Sequence, residues 1–159
     1  MSQLLKVVFM ASELELKLAA TPEKLNDIIK LEFPGVASQS AWESIPMVNT
    51  YYDTVNFKLR KMAIAMRIRE IGDKTIQTVK SAGKAIGGLH QRNEDEIELD
   101  SKNLDIFKIA DPYLQILVEE AFDEDGDYVA CFDTNFTRTQ CLLTFSDNTI
   151  IEVALDLGT

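Results

Sequence analysis

Two arginines two residues apart, Arg67 and Arg69 in AMRIRE, stand on one side of any strand that contains them, because alternate residues of a strand face opposite ways. Lys80 in TVKSAG and Arg138 in FTRTQ place two more cations in runs of the same alternating kind. An arginine fork matches phosphate oxygens bidentately and a lysine supplies a point charge, so these groups on one face could hold several phosphates in a row. The acids sort in the same way: Glu13 and Glu15 alternate in SELELKLAA, Glu94 and Glu96 in NEDEIEL, and Glu152 and Asp156 in IEVALDL. Carboxylates without His or Cys partners suit hard cations, Mg²⁺ taking one or two carboxylates with waters and substrate phosphates, and Mn²⁺ accepting similar donors.

The plainest reading of any one of these strands is the wet face of a half-exposed antiparallel sheet. Their segregation by sign argues for more. Exposed ion pairs contribute only about 0–1 kcal/mol, so a solvated sheet gains little from sorting its charges. A sheet curled so that these faces look at each other encloses a cavity with a basic wall and an acidic wall. A chain of phosphates bridged by Mg²⁺ fits both.

The elements that must position these residues are legible in the periodicity. In SELELKLAA the leucines share one face, while Glu13, Glu15 and Lys17 share the other. TPEKLNDIIKLEF has Thr21 as N-cap, Pro22 at the first helical position and a helical apolar face. MVNTYYDT is rich in strand formers, with Tyr51 and Tyr52 pointing opposite ways, and NFKLRKM reads as a short helical turn. AIAMRIREIGDKTIQTVKSAG is a hairpin turning at Gly72 and Asp73, with Ile64, Met66 and Ile68 opposite the arginines. GGLHQRNEDEIEL sets His90, Arg92, Glu94, Glu96 and Glu98 in register. SKNLDIFKIADPYLQILVEEAF is helical in pattern with a break near Pro112, and two alternating runs follow it. Leu14, Leu16, Ile64 and Met66 are expected to pack outside the cavity, under the helices.

At 159 residues, 46% hydrophobic and 26% charged, the chain is expected to be one folded domain over residues 1–159. A net charge of −10 argues against general binding to nucleic acid or anionic membrane, both of which need a basic surface. Cys131 and Cys141 have no metal-ligand spacing and are expected to be core or near-core thiols in a reducing compartment. LLKVVFMAS, broken by Lys6, falls short of the roughly 7–15 apolar residues of a secretory h-region, and nothing approaches the roughly 20 of a membrane span. The expected location is the cytoplasm.

Seven stretches, ELELK, YYDT, AMRIRE, TVKSAG, GGLHQRNEDEIEL, FTRTQ and IEVALDLG, resemble in order and spacing the CYTH domain of the triphosphate tunnel metalloenzymes. GGLHQR is similar to the bacterial branch of inorganic triphosphatases. The resemblance implies an α+β fold: an eight-stranded antiparallel β-barrel with helices packed outside, hydrolysing tripolyphosphate to pyrophosphate and phosphate with Mg²⁺ or Mn²⁺. Other members cleave thiamine triphosphate or cyclise ATP. By the same resemblance Arg67, Arg69, Lys80 and Arg138 bind phosphate, with Arg92 a further candidate. Glu13, Glu15, Glu94, Glu96 and Glu152 bind metal, with Asp156 a weaker assignment, and Glu13 and Glu15 join Lys17, near the scissile phosphate or attacking water, as the catalytic set.

In the family the barrel continues beyond the match to IEVALDLG, so this chain is expected to be truncated at its C-terminus, without its last strand or strands. Exposed sheet edges would then invite homo-oligomerisation. The alternative to an enzyme is a binding module that holds polyphosphate or a nucleoside triphosphate without turning it over.

Overall fold

The computed structural model describes residues 12–82, 84–86 and 89–158. Its strands are β1 (Ser12–Leu16), β2 (Val36–Gln39), β3 (Glu43–Thr54), β4 (Ile64–Ile71), β5 (Lys74–Ser81), β6 (Lys84–Ile86), β7 (Leu89–Leu99), β8 (Tyr128–Phe145) and β9 (Ile150–Gly158). Its α-helices are α1 (Pro22–Ile28), α2 (Lys58–Lys61) and α3 (Pro112–Asp125), with a 3₁₀ turn at Ile106–Lys108.

All the ladders are antiparallel. The sheet runs β1–β7–β5–β4–β3–β8, with β2 continuing the β3 side of β8 and β6 pairing with β7. Because β3 and β9 both pair with Phe136 to Gln140, β9 must lie on the opposite edge of β8. β1 and β9 are therefore the two margins, and no ladder joins them among the described residues. The sheet curls into a half-barrel.

The alternation of β4 divides the molecule. Ile64 and Met66 point with Val79 into a core completed by Leu59 of α2, Ile106 and Ile109, and Leu114, Val118 and Ala121 of α3. Arg67 and Arg69 take the other face, which these helices leave uncovered. Tyr52 packs against the core while Tyr51 turns away from it to stack on Phe132, the opposition expected of neighbours on a strand.

Buried carboxylates and an amide fasten the helical layer to the sheet. Asp53 accepts the backbone N–H groups of Thr54, Leu59 and Arg60 at 2.8, 2.9 and 3.0 Å, anchoring the α2 turn. Asp95 accepts those of Ala110 and Asp111, and Asp111 caps α3 by accepting from Tyr113 and Leu114. Gln77 makes a reciprocal pair with the backbone of Asp105 at 2.8 and 2.9 Å. The helical pattern breaks near Pro112 as expected: the 3₁₀ turn ends at Lys108, and Pro112 then opens α3, where its missing N–H costs no bond.

Two apolar expectations change. Leu16 is 59% exposed instead of packed under helices, and α1 buries none of its residues, while the side chain of Leu14 lies outside the described set. Cys141 is buried, and burial raises its thiol pKa, whereas Cys131 is exposed on the part of β8 that β9 does not reach. Among the described residues no helix is long and apolar enough to cross a membrane.

The core makes a quantitative claim. Leu114→Ala, at a fully buried site in α3, is expected to lower unfolding free energy by about 3 kcal/mol, whereas Ile116→Ala, at 62% exposure, should change it by less than about 0.5 kcal/mol. Urea denaturation of both variants measures the contrast; equal losses would mean that α3 does not bury its Leu114 side.

Candidate functional site

The site is built from rungs that cross neighbouring strands. Arg67 on β4 lies opposite Tyr51 on β3 and Thr78 on β5, and Thr78 lies opposite Glu96 on β7. Arg69 lies opposite Asn49, which in turn faces Thr134 of β8. Lys80 lies opposite Glu94, and Arg138 opposite Asp156. Side chains directly opposite on one face are the nearest neighbours a sheet provides.

No core helix covers this face, yet Lys80 and Arg138 keep only 13% and 20% of their side-chain exposure. The curl of the sheet shelters them. Arg69 feels charge from four strands at once: burial lowers its pKa most, Arg67 and Arg138 lower it further, and Glu96 and Tyr51 oppose them. Three guanidiniums thus face a common space from β4 and β8. Arg67 Nε is buried without a hydrogen-bond partner. A cationic donor left in that condition is costly unless an anion is to be supplied.

The acids stand beside the bases. Lys80 Nζ is 2.8 Å from Glu94 Oε2, and Thr78 Oγ1 is 3.4 Å from Glu96 Oε2. Arg138 is engaged bidentately by Asp156, Nε to Oδ1 at 2.7 Å and Nη2 to Oδ2 at 2.8 Å, with Glu152 at 3.7 Å from Nη1. Two residues expected on opposite walls, Arg138 and Asp156, therefore form one fork. The register between β8 and β9 that produces it could not be read from either strand alone.

Glu13, Glu15, His90 and Arg92 fall on residues whose side chains lie outside the described set. Their backbones pair as Glu13 with Arg92 and Glu15 with His90, next to the β7 segment carrying Glu94. Lys17 follows the end of β1 and is exposed. Among the described residues no three His, Cys, Asp or Glu side chains form a group able to hold a metal. The donor set is nevertheless of the right chemistry for Mg²⁺ or Mn²⁺: Glu94 and Glu96 are hard oxygen donors on one face, and such ions complete their shells with substrate oxygens and water.

Sequence reasoning passed over Asn49. Its side chain is fully buried, accepts from Arg69 Nε at 2.7 Å through Oδ1, and donates to Thr134 Oγ1 at 3.0 Å through Nδ2. Its one signal was a polar residue two positions before Tyr51 in MVNTYYDT.

The molecule is thus an antiparallel half-barrel with its helical core on one face and a sheltered array of guanidiniums on the other. The chain belongs to the CYTH domain family, whose model matches residues 11–159. It is 31% identical over 154 residues to an inorganic triphosphatase of Haemophilus influenzae, a match that takes in 94% of this chain and 40% of that protein. The chain thus spans about two fifths of that relative's length. It also superposes, with a TM-score of 0.54 and 21% identity over 91% of this chain and 70% of the other, on a Hippeastrum protein provisionally named an adenylyl cyclase and reported to have a dominant triphosphatase activity. At that identity the superposition speaks for the fold.

Proposed function

We propose that this chain carries a triphosphate-binding and hydrolysing site, acting on inorganic tripolyphosphate to give pyrophosphate and phosphate. The observation that carries the reading is the convergence of Arg67, Arg69 and Arg138, with a buried, unpartnered N–H on Arg67. Sequence similarity to a protein named as an inorganic triphosphatase supports the choice of substrate.

In this reading Arg67 and Arg69 grip successive phosphates by paired N–H donors, and Lys80 adds a point charge beside them. Arg138, already turned by Asp156, faces the same substrate from β8. Preset donors of this kind stabilise the charge that develops on the transferred phosphoryl and the leaving pyrophosphate without reorganising during reaction. Glu13, Glu15, Glu94, Glu96 and Glu152, with Asp156 as a weaker member, would hold Mg²⁺ or Mn²⁺, which when bound neutralises phosphate charge and makes water a better nucleophile. Lys17 and Arg92 are assigned to the scissile-phosphate end. The substrate is a small molecule. Neither nucleic acid nor membrane is a partner in this reading, which places the protein in the cytoplasm.

The test is phosphate release from tripolyphosphate. Chelation with EDTA is expected to reduce the rate to background, and Mg²⁺ or Mn²⁺ to restore it. Undiminished release in EDTA would count against the carboxylate assignments.

A second reading rests on the same guanidinium array, which can hold phosphates without any hydrolytic step. Under it the chain holds polyphosphate or a nucleoside triphosphate without cleaving it. Tripolyphosphate binding without release would select that reading, while cAMP from ATP, or preferred cleavage of thiamine triphosphate, would redirect the substrate. Homo-oligomerisation through the β1 and β9 margins belongs to the same proposal, and sedimentation reads it directly.

A further inference from the structure

We propose that Asn49 is a positioning residue that sets the plane of the Arg69 guanidinium and, by being neutral, leaves its charge for the substrate; this rests on the anion-site reading above. Arg69 is an uncomfortable cation. Burial disfavours its charge, and Arg67 and Arg138 repel it. Left to itself a long side chain so placed would swing toward water.

What holds it is a three-strand rung. Thr134 of β8 takes one end of the Asn49 amide at 3.0 Å, and Asn49 Oδ1 takes Arg69 Nε at 2.7 Å. Among the described residues this is the one hydrogen bond Arg69 makes. With Nε committed on the β3 side, the Nη1 and Nη2 donors remain for an anion, and the rigid guanidinium plane fixes their direction.

The choice of an amide has its own consequence. An aspartate at position 49 would accept from Nε equally well, but it would neutralise the cation. The adjacent rung shows the alternative arrangement: Arg67 stands beside Tyr51, stacked on Phe132 with centroids 4.6 Å apart, and its Nε has no partner. One arginine is thus fixed through Nε and its neighbour is left with Nε open, so the two present different edges of their forks.

The experiment uses the full chain, labelled at arginine, with Asn49→Ala, Asn49→Asp and Arg69→Lys alone and combined. Hydrogen exchange of Arg69 Nε–H is expected to be slow in the wild type and at least about tenfold faster in Asn49→Ala while exchange of Arg138 Nε–H is unchanged, a contrast that a general loosening of the sheet would not produce. Fast exchange already in the wild type would overturn the inference. Titration with tripolyphosphate in EDTA is expected to show about tenfold weaker binding for Asn49→Ala when residue 69 is arginine, and less than about twofold when it is lysine, which has no fork to orient. Asn49→Asp should bind more weakly than Asn49→Ala while keeping Nε–H protected. Equal losses in the arginine and lysine backgrounds would make Asn49 structural only and overturn the proposal. If the wild type binds no tripolyphosphate, the anion-site reading fails, and Nε–H exchange then decides the role of Asn49 by itself.

Discussion

Arg67→Ala is expected to lower tripolyphosphate hydrolysis by about 10²–10³-fold, the usual effect of deleting one preset donor to developing charge. Arg67 is the sharpest probe because its Nε is buried and unpartnered, so alanine removes no hydrogen bond from that atom. Arg138 would be less decisive, since its deletion also strands Asp156 and Glu152. Arg67→Lys should recover little, for an ammonium cannot reproduce a two-pronged contact. Phosphate release measured beside a urea denaturation curve separates chemistry from folding. A variant that keeps activity within twofold of wild type would remove the guanidinium array from the mechanism.

Asp53→Ala is expected to cost about 3–5 kcal/mol of stability, the largest loss we assign to a single polar side chain here. Its carboxylate accepts three backbone N–H groups, two of them from the α2 turn, and it is only 7% exposed. Alanine strands buried donors that no water readily reaches, and bonds to a charged acceptor are worth about 1.5–3 kcal/mol each. Asp53→Asn should lose roughly half as much: its carbonyl can keep the bonds to Thr54 and Leu59, but its amide nitrogen would meet the Arg60 N–H donor to donor. Urea midpoints at constant slope give both values. A loss below about 1 kcal/mol would mean that Phe57, in the left-handed region at φ 56°, and its neighbours hold the turn without the carboxylate.

The period-two alternation announced the β4–β5 hairpin and put Arg67 and Arg69 on the side away from Ile64 and Met66, and the structure agrees. Thr21 and Pro22 marked the start of α1. Alternation reports which face a residue takes and nothing about what lies across from it. The Arg138–Asp156 fork and the Arg69–Asn49–Thr134 rung depend on inter-strand register, which neither run contains alone. YYDT contains Asp53, yet its use as an anchor depends on α2 folding back toward it. Pro112 was ambiguous for a local reason, because the same ring ends one helical pattern and begins the next. Leu16 sits in the expected strand and is still 59% exposed, because alternation does not report whether a face is covered.

The 18-residue β8 has a further consequence, for the order in which the molecule assembles. The Arg69–Asn49 contact spans 20 residues of sequence, whereas β8 reaches β3 across 85 residues at Thr134 and 95 at Thr139. Short loops close at lower entropic cost than long ones, so Arg67, Arg69 and Lys80 can be arrayed by local hairpins while Thr134 and Arg138 await a far more distant pairing. The anion face is thereby divided between an early half and a late half of the folding reaction. A triphosphate gripping both halves would bind only the finished sheet, and mass action would make such a ligand a stabiliser of the entire fold.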